Sequence, residues 1–158
     1  GKVDLDLRPV GLQALVDECF SLIRPLADKK CIILGHGELG RWHVRADRTR
    51  LRQVLLNFLS NAIKYNAEEG SVRLDVVPQQ GWLKISVIDS GWGIDADNLP
   101  HIFDRFYRAE DAVRKTKGAG LGLYLARAIV EAHGGRIWID SKPETGARIC
   151  FSLPRASE

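Results

Sequence analysis

Two β-prone runs, residues 72–77 and 82–88, flank Pro78-Gln79-Gln80-Gly81, and so short a turn pairs them as an antiparallel hairpin. The chain around that hairpin alternates further strand runs with helical patterns. Leu12, Leu15, Val16, Cys19, Phe20 and Ile23 recur at three- and four-residue spacing, an amphipathic helix that Pro25 kinks or ends near Ala27. Leu51, Val54, Leu55, Phe58, Leu59 and Ala62 form a broad apolar arc on a second helix, residues 48–65, with Asp47 as its N-cap. Arg50, Asn57, Asn61 and Lys64 share the opposite arc of that helix. A third pattern, Leu125, Ala126, Ile129 and Val130, stops at Gly134-Gly135, the first glycine suiting a left-handed C′ position. Short strands are expected at residues 3–7 (closed by Pro9), 31–34, 43–46, 136–141 and 147–153. A glycine-rich turn is expected at 35–40, and another through Pro143 and Gly146. Strands paired as hairpins with helices between them imply one mixed, mostly antiparallel sheet with helices on one face, an α+β two-layer sandwich.

The length of 158 residues, 45% of them hydrophobic, suits a single domain with its own core. A formal net charge of +3, from 23 Lys and Arg against 20 Asp and Glu, gives no argument for a nucleic-acid or membrane-surface partner. The longest apolar runs, such as 54–56 and 31–34, fall far short of a bilayer span, and the N-terminus has no signal region. Cys19, Cys31 and Cys150 sit among apolar neighbours without Cys-x-x-Cys spacing; buried free thiols in a reducing compartment are the expectation, not a zinc site or a disulfide. The chain starts at Gly1 and has no Met, as expected of a domain cut from something longer.

Three features carry possible chemistry. Asp89-Ser90-Gly91-Trp92-Gly93 follows directly on a hydrophobic strand, which sets a carboxylate at a strand end beside two flexible glycines; an Asp before a glycine turn is more often a turn-stabilising residue. Gly118-Ala119-Gly120-Leu121-Gly122 immediately precedes a helix, where free amides and the helix dipole favour phosphate. It lacks both the strand-first context of a dinucleotide fold and the Gly-Lys-Ser/Thr ending of a P-loop. Asn57 and Asn61, one turn apart, offer hard amide oxygens of the kind Mg²⁺ accepts, although a solvated polar face is the commoner meaning of such a pair. Between these features, residues 89–122 are rich in glycine and charge, longer than an ordinary connection, and read as a functional loop or lid.

The features occur together in a fixed order, and the conjunction is specific. Asn57-Phe58-Leu59-Ser60-Asn61-Ala62-Ile63-Lys64-Tyr65 resembles the N box of bacterial sensor histidine kinases, and Asp89-x-Gly91-x-Gly93-Ile94 resembles their first glycine box. Ile102-Phe103-Asp104-Arg105-Phe106-Tyr107-Arg108 is similar to the F box, Gly118-x-Gly120-Leu121-Gly122-Leu123 to the second glycine box, and Glu144-Thr145-Gly146-Ala147-x-x-x-Phe151 to the closing Thr-Gly element. The resemblance spans nearly the whole chain. It implies the Bergerat fold of the GHKL ATPases, shared with type II topoisomerases, MutL and the large heat-shock chaperones, and a single catalytic domain over residues 1–158.

The resemblance implies roles residue by residue. Asn61 matches the Mg²⁺ ligand, Asn57 a residue supporting the metal shell, Lys64 a phosphate contact and Tyr65 an aromatic beside the adenine or ribose. Asp89 matches the carboxylate that accepts the adenine amino proton, a hydrogen bond guanine cannot offer. Gly91, Gly93 and Ile94 would line the base. Gly118, Gly120, Leu121, Gly122 and Leu123 would bring amides to the phosphates and hinge a lid of about residues 104–120. Phe103 and Phe106 would anchor that lid, or serve as plain core aromatics, and Thr145 would lie along the same nucleotide site. Arg105, Arg108, Arg114, Lys115 and Lys117 are lid cations, of which one or two would meet the γ-phosphate. Trp92 is bulky for its place in the first glycine box, and Asn66 stands where a Thr or Ser often follows the tyrosine.

The implied reaction is transfer of the ATP γ-phosphoryl group to a histidine imidazole with Mg²⁺ as cofactor. His36, His43, His101 and His133 lack the expected acceptor surroundings, and His101 or His133 is more simply a surface or helix-end residue. The acceptor is therefore expected on the protein's own dimerisation and histidine-phosphotransfer domain, before Gly1, with a response regulator downstream. The isolated domain is expected to be monomeric and cytoplasmic, the full protein a homodimer, with membrane anchoring of the parent left open. Three rivals remain: an anti-sigma-type serine kinase, against which the F box argues; a pseudokinase acting as a nucleotide-responsive interaction module; and a scaffold that binds no nucleotide.

Overall fold

In the computed structural model of the chain, residues 4–91, 120–142 and 146–157 are described. Among them the order is β1 (Arg8–Gly11), α1 (Leu12–Lys29), β2 (Ile33–His36), β3 (His43–Ala46), α2 (Arg48–Lys64), β4 (Ser71–Gln79), β5 (Trp82–Asp89), α3 (Gly120–Ala132), β6 (Ile137–Lys142) and β7 (Gly146–Pro154). Five strands make the main sheet in the order β2-β4-β5-β7-β6, with β2 parallel to β4 and every other pair antiparallel. β1 and β3 form a separate antiparallel ribbon.

The two layers follow from strand alternation. Leu83, Ile85 and Val87 of β5 face the helices, as do Val72 and Leu74 of β4 and Ile149, Phe151 and Leu153 of β7, and all are buried. The helices answer with Leu15, Val16 and Cys19 of α1, Leu51, Val54, Leu55, Phe58 and Leu59 of α2, and Leu123, Ala126, Ile129 and Val130 of α3, in one core. Phe58 meets Phe151 edge to face, ring centroids 5.6 Å apart, which pins α2 to the sheet. The 72–77/82–88 hairpin closes through Gln80 (φ 41°) and Gly81 (φ 85°), the left-handed pair that a two-residue turn between twisted strands requires.

Several boundaries differ from the expectations. The first strand is Arg8–Gly11 and contains Pro9, which an edge ribbon tolerates because its missing N–H is not needed by a central ladder. α1 runs through Pro25 to Lys29, with Pro25 on the exposed side. β2 begins at Ile33, since Cys31 takes a left-handed turn (φ 55°) to leave α1, and this turn exposes the Cys31 thiol that was expected to be buried. Gly120 and Gly122 lie within the first turn of α3 instead of preceding it. Asp47 caps α2 and Gly134 (φ 81°) follows α3, both as expected. Among the described residues no helix is long and apolar enough to cross a membrane.

Candidate nucleotide site

Asp89 is the last residue of β5 and continues the inward row of Leu83, Ile85 and Val87, so a carboxylate occupies a core-facing register at the sheet's end. Burial pushes its carboxyl above the ordinary value of 3.8, opposed by two backbone N–H groups. Gly91 N donates to Asp89 Oδ1 at 2.9 Å and Ala147 N donates to the same oxygen at 3.1 Å. No described residue donates to Oδ2, which leaves that oxygen to accept from a ligand. Glycine is required on both sides of this carboxylate. A Cβ on Gly91 would stand 2.6 Å from Tyr65 O and 3.0 Å from Asn66 Cα, and one on Gly146 (φ 98°) would overlap the Asp89 carbonyl.

α2 supplies the second wall. Asn61 was placed on the polar arc, yet it is only 7% exposed, and its Nδ2 donates to Asn57 Oδ1 at 3.1 Å. With the NH₂ end so engaged, the Asn61 oxygen is the hard acceptor the pair presents. Asn57 is half-buried and also lines a groove of about 480 Å³ between α1 and α2. Lys64 is exposed on the last turn of α2, and Tyr65, half-buried, closes the helix through its N–H to Asn61 O at 3.0 Å.

α3 reaches the same end of the molecule. Asp47 N donates to His133 Nε2 at 3.0 Å, so the end of α3 meets the start of α2 and the packed helices run antiparallel. The 13 residues of α3 therefore carry Gly120 back to about the level that an equal count along α2 reaches, near Ser60 and Asn61. His133 is buried, with Nδ1 2.8 Å from Ile129 O, so it belongs to the packing and not to the surface. Leu123 is a core residue. Gly93, Ile94, Phe106, Arg108, Lys117, Gly118 and Thr145 lie outside the described residues, as does most of the expected lid.

Sequence reasoning noticed Asn66 only as a departure, whereas it is fully buried and organises the corner. Its Nδ2 donates to Ser71 O at 2.9 Å, and its Oδ1 accepts from Ala67 N at 2.8 Å and from Ser90 Oγ at 3.3 Å. Ser71 N donates in turn to Ser90 Oγ at 2.8 Å, which fixes the turn after Asp89 to the start of β4. A polar residue directly after the helix-closing tyrosine was the available signal.

Among the described residues no three His, Cys, Asp or Glu converge on a metal position. An amide oxygen completed by phosphate and water is a shell that Mg²⁺ accepts. The arrangement offers one half-buried carboxylate oxygen to an N–H donor and one amide oxygen to a hard cation, with Gly91 packed against the Tyr65 and Asn66 backbone beside the carboxylate.

Comparison with known proteins identifies the family. The model of the histidine kinase-, DNA gyrase B-, and HSP90-like ATPases matches residues 46–157. Sensor histidine kinase WalK of Bacillus subtilis is 45% identical over 119 residues, 73% of this chain and 20% of WalK. Full-length ShkA, solved in complex with AMPPNP, aligns with a TM-score of 0.87 and 32% identity over all of this chain and 33% of that one. The catalytic domain of histidine kinase ThkA aligns at 0.82 with 30% identity, over 96% of this chain and 97% of that domain; ThkA in complex with response regulator TrrA aligns at 0.77 with 28% identity, over 95% and 42%. The chain thus spans about a fifth of WalK and a third of ShkA. Matched by the family model and along a whole catalytic domain, it belongs to the histidine kinase-, DNA gyrase B-, and HSP90-like ATPases, and among them to the ATP-binding catalytic domains of sensor histidine kinases.

Proposed function

We propose that the domain binds Mg²⁺-ATP and transfers the γ-phosphoryl group to a histidine on a dimerisation domain of the same protein, from which a response regulator receives it. The observation that carries the reading is the Asp89 carboxylate, held with one oxygen tied by Gly91 and Ala147 and the other left to accept. A carboxylate in that setting accepts the exocyclic N–H of adenine and opposes the carbonyl that guanine carries at the same place. Tyr65 would border the base or ribose, and Gly91, packed against Tyr65 O and Asn66 Cα, keeps the turn whose N–H aims Asp89.

Asn61 presents its oxygen to the metal, Asn57 holds the Asn61 amide in that orientation, and Lys64 meets phosphate. Mg²⁺ held at the Asn61 oxygen would supply positive charge against the charge that builds on phosphate during transfer. Gly120, Leu121 and Gly122 would offer amides in the first turn of α3, with Leu123 anchoring that turn in the core. Positive charge for the γ-phosphate would come from Arg108 and Lys117. Catalysis is by positioning and charge neutralisation; the acceptor and its activating base lie on the partner domain.

Titration calorimetry with a non-hydrolysable ATP analogue, with and without Mg²⁺ and with a GTP control, tests the reading. Wild type binds the ATP analogue over GTP with help from Mg²⁺. Asp89→Asn turns an acceptor into a donor facing the adenine amino group and weakens binding at least about tenfold. Asn61→Leu removes the Mg²⁺ increment alone. No binding by the wild-type domain would overturn the proposal and favour the scaffold.

A further inference from the structure

We propose that Lys30, the residue that ends α1, is a positioning residue for nucleotide binding: its ammonium holds the corner after α2 against the turn that follows Asp89. This rests on the ATP-binding reading above. Lys30 Nζ donates to Ile63 O at 2.9 Å, Lys64 O at 3.0 Å and Asn66 O at 2.8 Å, three carbonyls around the C-terminus of α2. Helix ends leave such carbonyls without intrahelical partners, and an ammonium matches three of them with three N–H donors while meeting the negative end of the dipole. The Lys30 backbone acts on the same connector, since its carbonyl accepts from Glu69 N at 2.8 Å. Residues 65–70 are thus held from α1 by side chain and main chain together.

That connector is one wall of the site. Tyr65 O and Asn66 Cα stand so close to Gly91 that no Cβ fits there, and Gly91 N is one of the two donors that orient Asp89. Asn66 also holds Ser90, through Ser90 Oγ at 3.3 Å. A shift of the corner therefore moves both the Tyr65 ring and the turn that aims Asp89. Asn61 sits one turn earlier, inside the helix and bonded to Asn57, so the metal-facing oxygen is held independently of Lys30. Partial burial lowers the Lys30 pKa, with the Glu68 charge opposing, as expected of an ammonium drawn from solvent to serve carbonyls.

The test compares wild type, Lys30→Met and Lys30→Gln, with affinities for the ATP analogue and for adenosine measured well below each melting temperature. Lys30→Met weakens both ligands by the same factor, about tenfold, the scale on which groups that orient a ligand-binding residue act. The ratio of analogue affinities with and without Mg²⁺ stays at the wild-type value. Lys30→Gln, with two N–H donors and no charge, shows a smaller loss of the same kind and decides the matter if Lys30→Met does not fold. A lower melting temperature with unchanged adenosine affinity makes Lys30 a purely structural tie and overturns the proposal. A loss confined to the Mg²⁺ increment overturns it too. Absence of analogue binding in wild type refutes the ATP-binding reading instead, so the two failures are distinguishable.

Discussion

Asp89 is kept at a cost to the fold. Its pKa is raised by burial, so the charged carboxylate is destabilising, and the penalty is present above the folded-state pKa and relieved as pH falls through it toward 3.8. Asp89→Asn keeps an oxygen for Gly91 N and Ala147 N while removing the partly desolvated charge. Its melting temperature at pH 7 is expected to equal or exceed that of wild type, the difference shrinking as pH falls below the folded-state pKa, even as the proposed adenine binding weakens. A scan of melting temperature against pH for the two proteins measures this, and a lower melting temperature in the variant at pH 7 would contradict it. At this scale Asn57, Asn61 and Asp89 were legible in the sequence through the boxes that the resemblance names, since spacing alone favours a solvated polar face and a turn-stabilising Asp. Lys30 was not, because the carbonyls it serves lie 33, 34 and 36 residues further on and main-chain acceptors leave no signature in composition.

α2 shows how an element is set from its ends. Asp47 Oδ1 accepts from Arg50 N at 3.1 Å and Oδ2 from Asp6 N at 3.0 Å, and these backbone donors hold the carboxyl below its ordinary 3.8. The stabilisation is present above pH 3.8 and lost as pH falls through the lower folded-state pKa. Asp47→Ala is expected to cost about 1 kcal/mol at pH 7 by denaturant titration. That difference fades in acid, which separates a lost cap from a lost contact. Cap, apolar arc and closing glycine made α2 and the end of α3 readable to within a residue or two. Where the chain departs from local rules the boundaries differ: Pro25 stays inside α1 on its solvent-exposed side, and Pro9 stays inside the two-stranded β1–β3 ribbon, where no central ladder needs its N–H. The separate β1–β3 ribbon was not foreseen, since its register, Val10 opposite Val44, joins segments with a whole helix between them.

For the molecule as a whole, the layers are joined where large side chains cross between them. Phe58 is fully buried against Phe151, and Phe58→Ala is expected to cost about 3–5 kcal/mol, a large part of the roughly 5–15 kcal/mol that holds a domain of this kind together. Urea titration checks it as a lower midpoint at unchanged slope. The order of elements was legible because hairpins and helices follow each other locally; the parallel pairing of β2 with β4 was not, since no short turn announces it. One consequence concerns the ribosome. Ala147 N, 58 positions after Asp89, is one of the two donors that aim its carboxylate, and Gly146 lies against the Asp89 main chain. On the role proposed for Asp89, a nascent chain carries the N box and first glycine box well before it can recognise adenine. The cell's ATP meets a finished pocket only once β7 has emerged and paired, so nucleotide stabilises completed domains and leaves truncated ones without that protection.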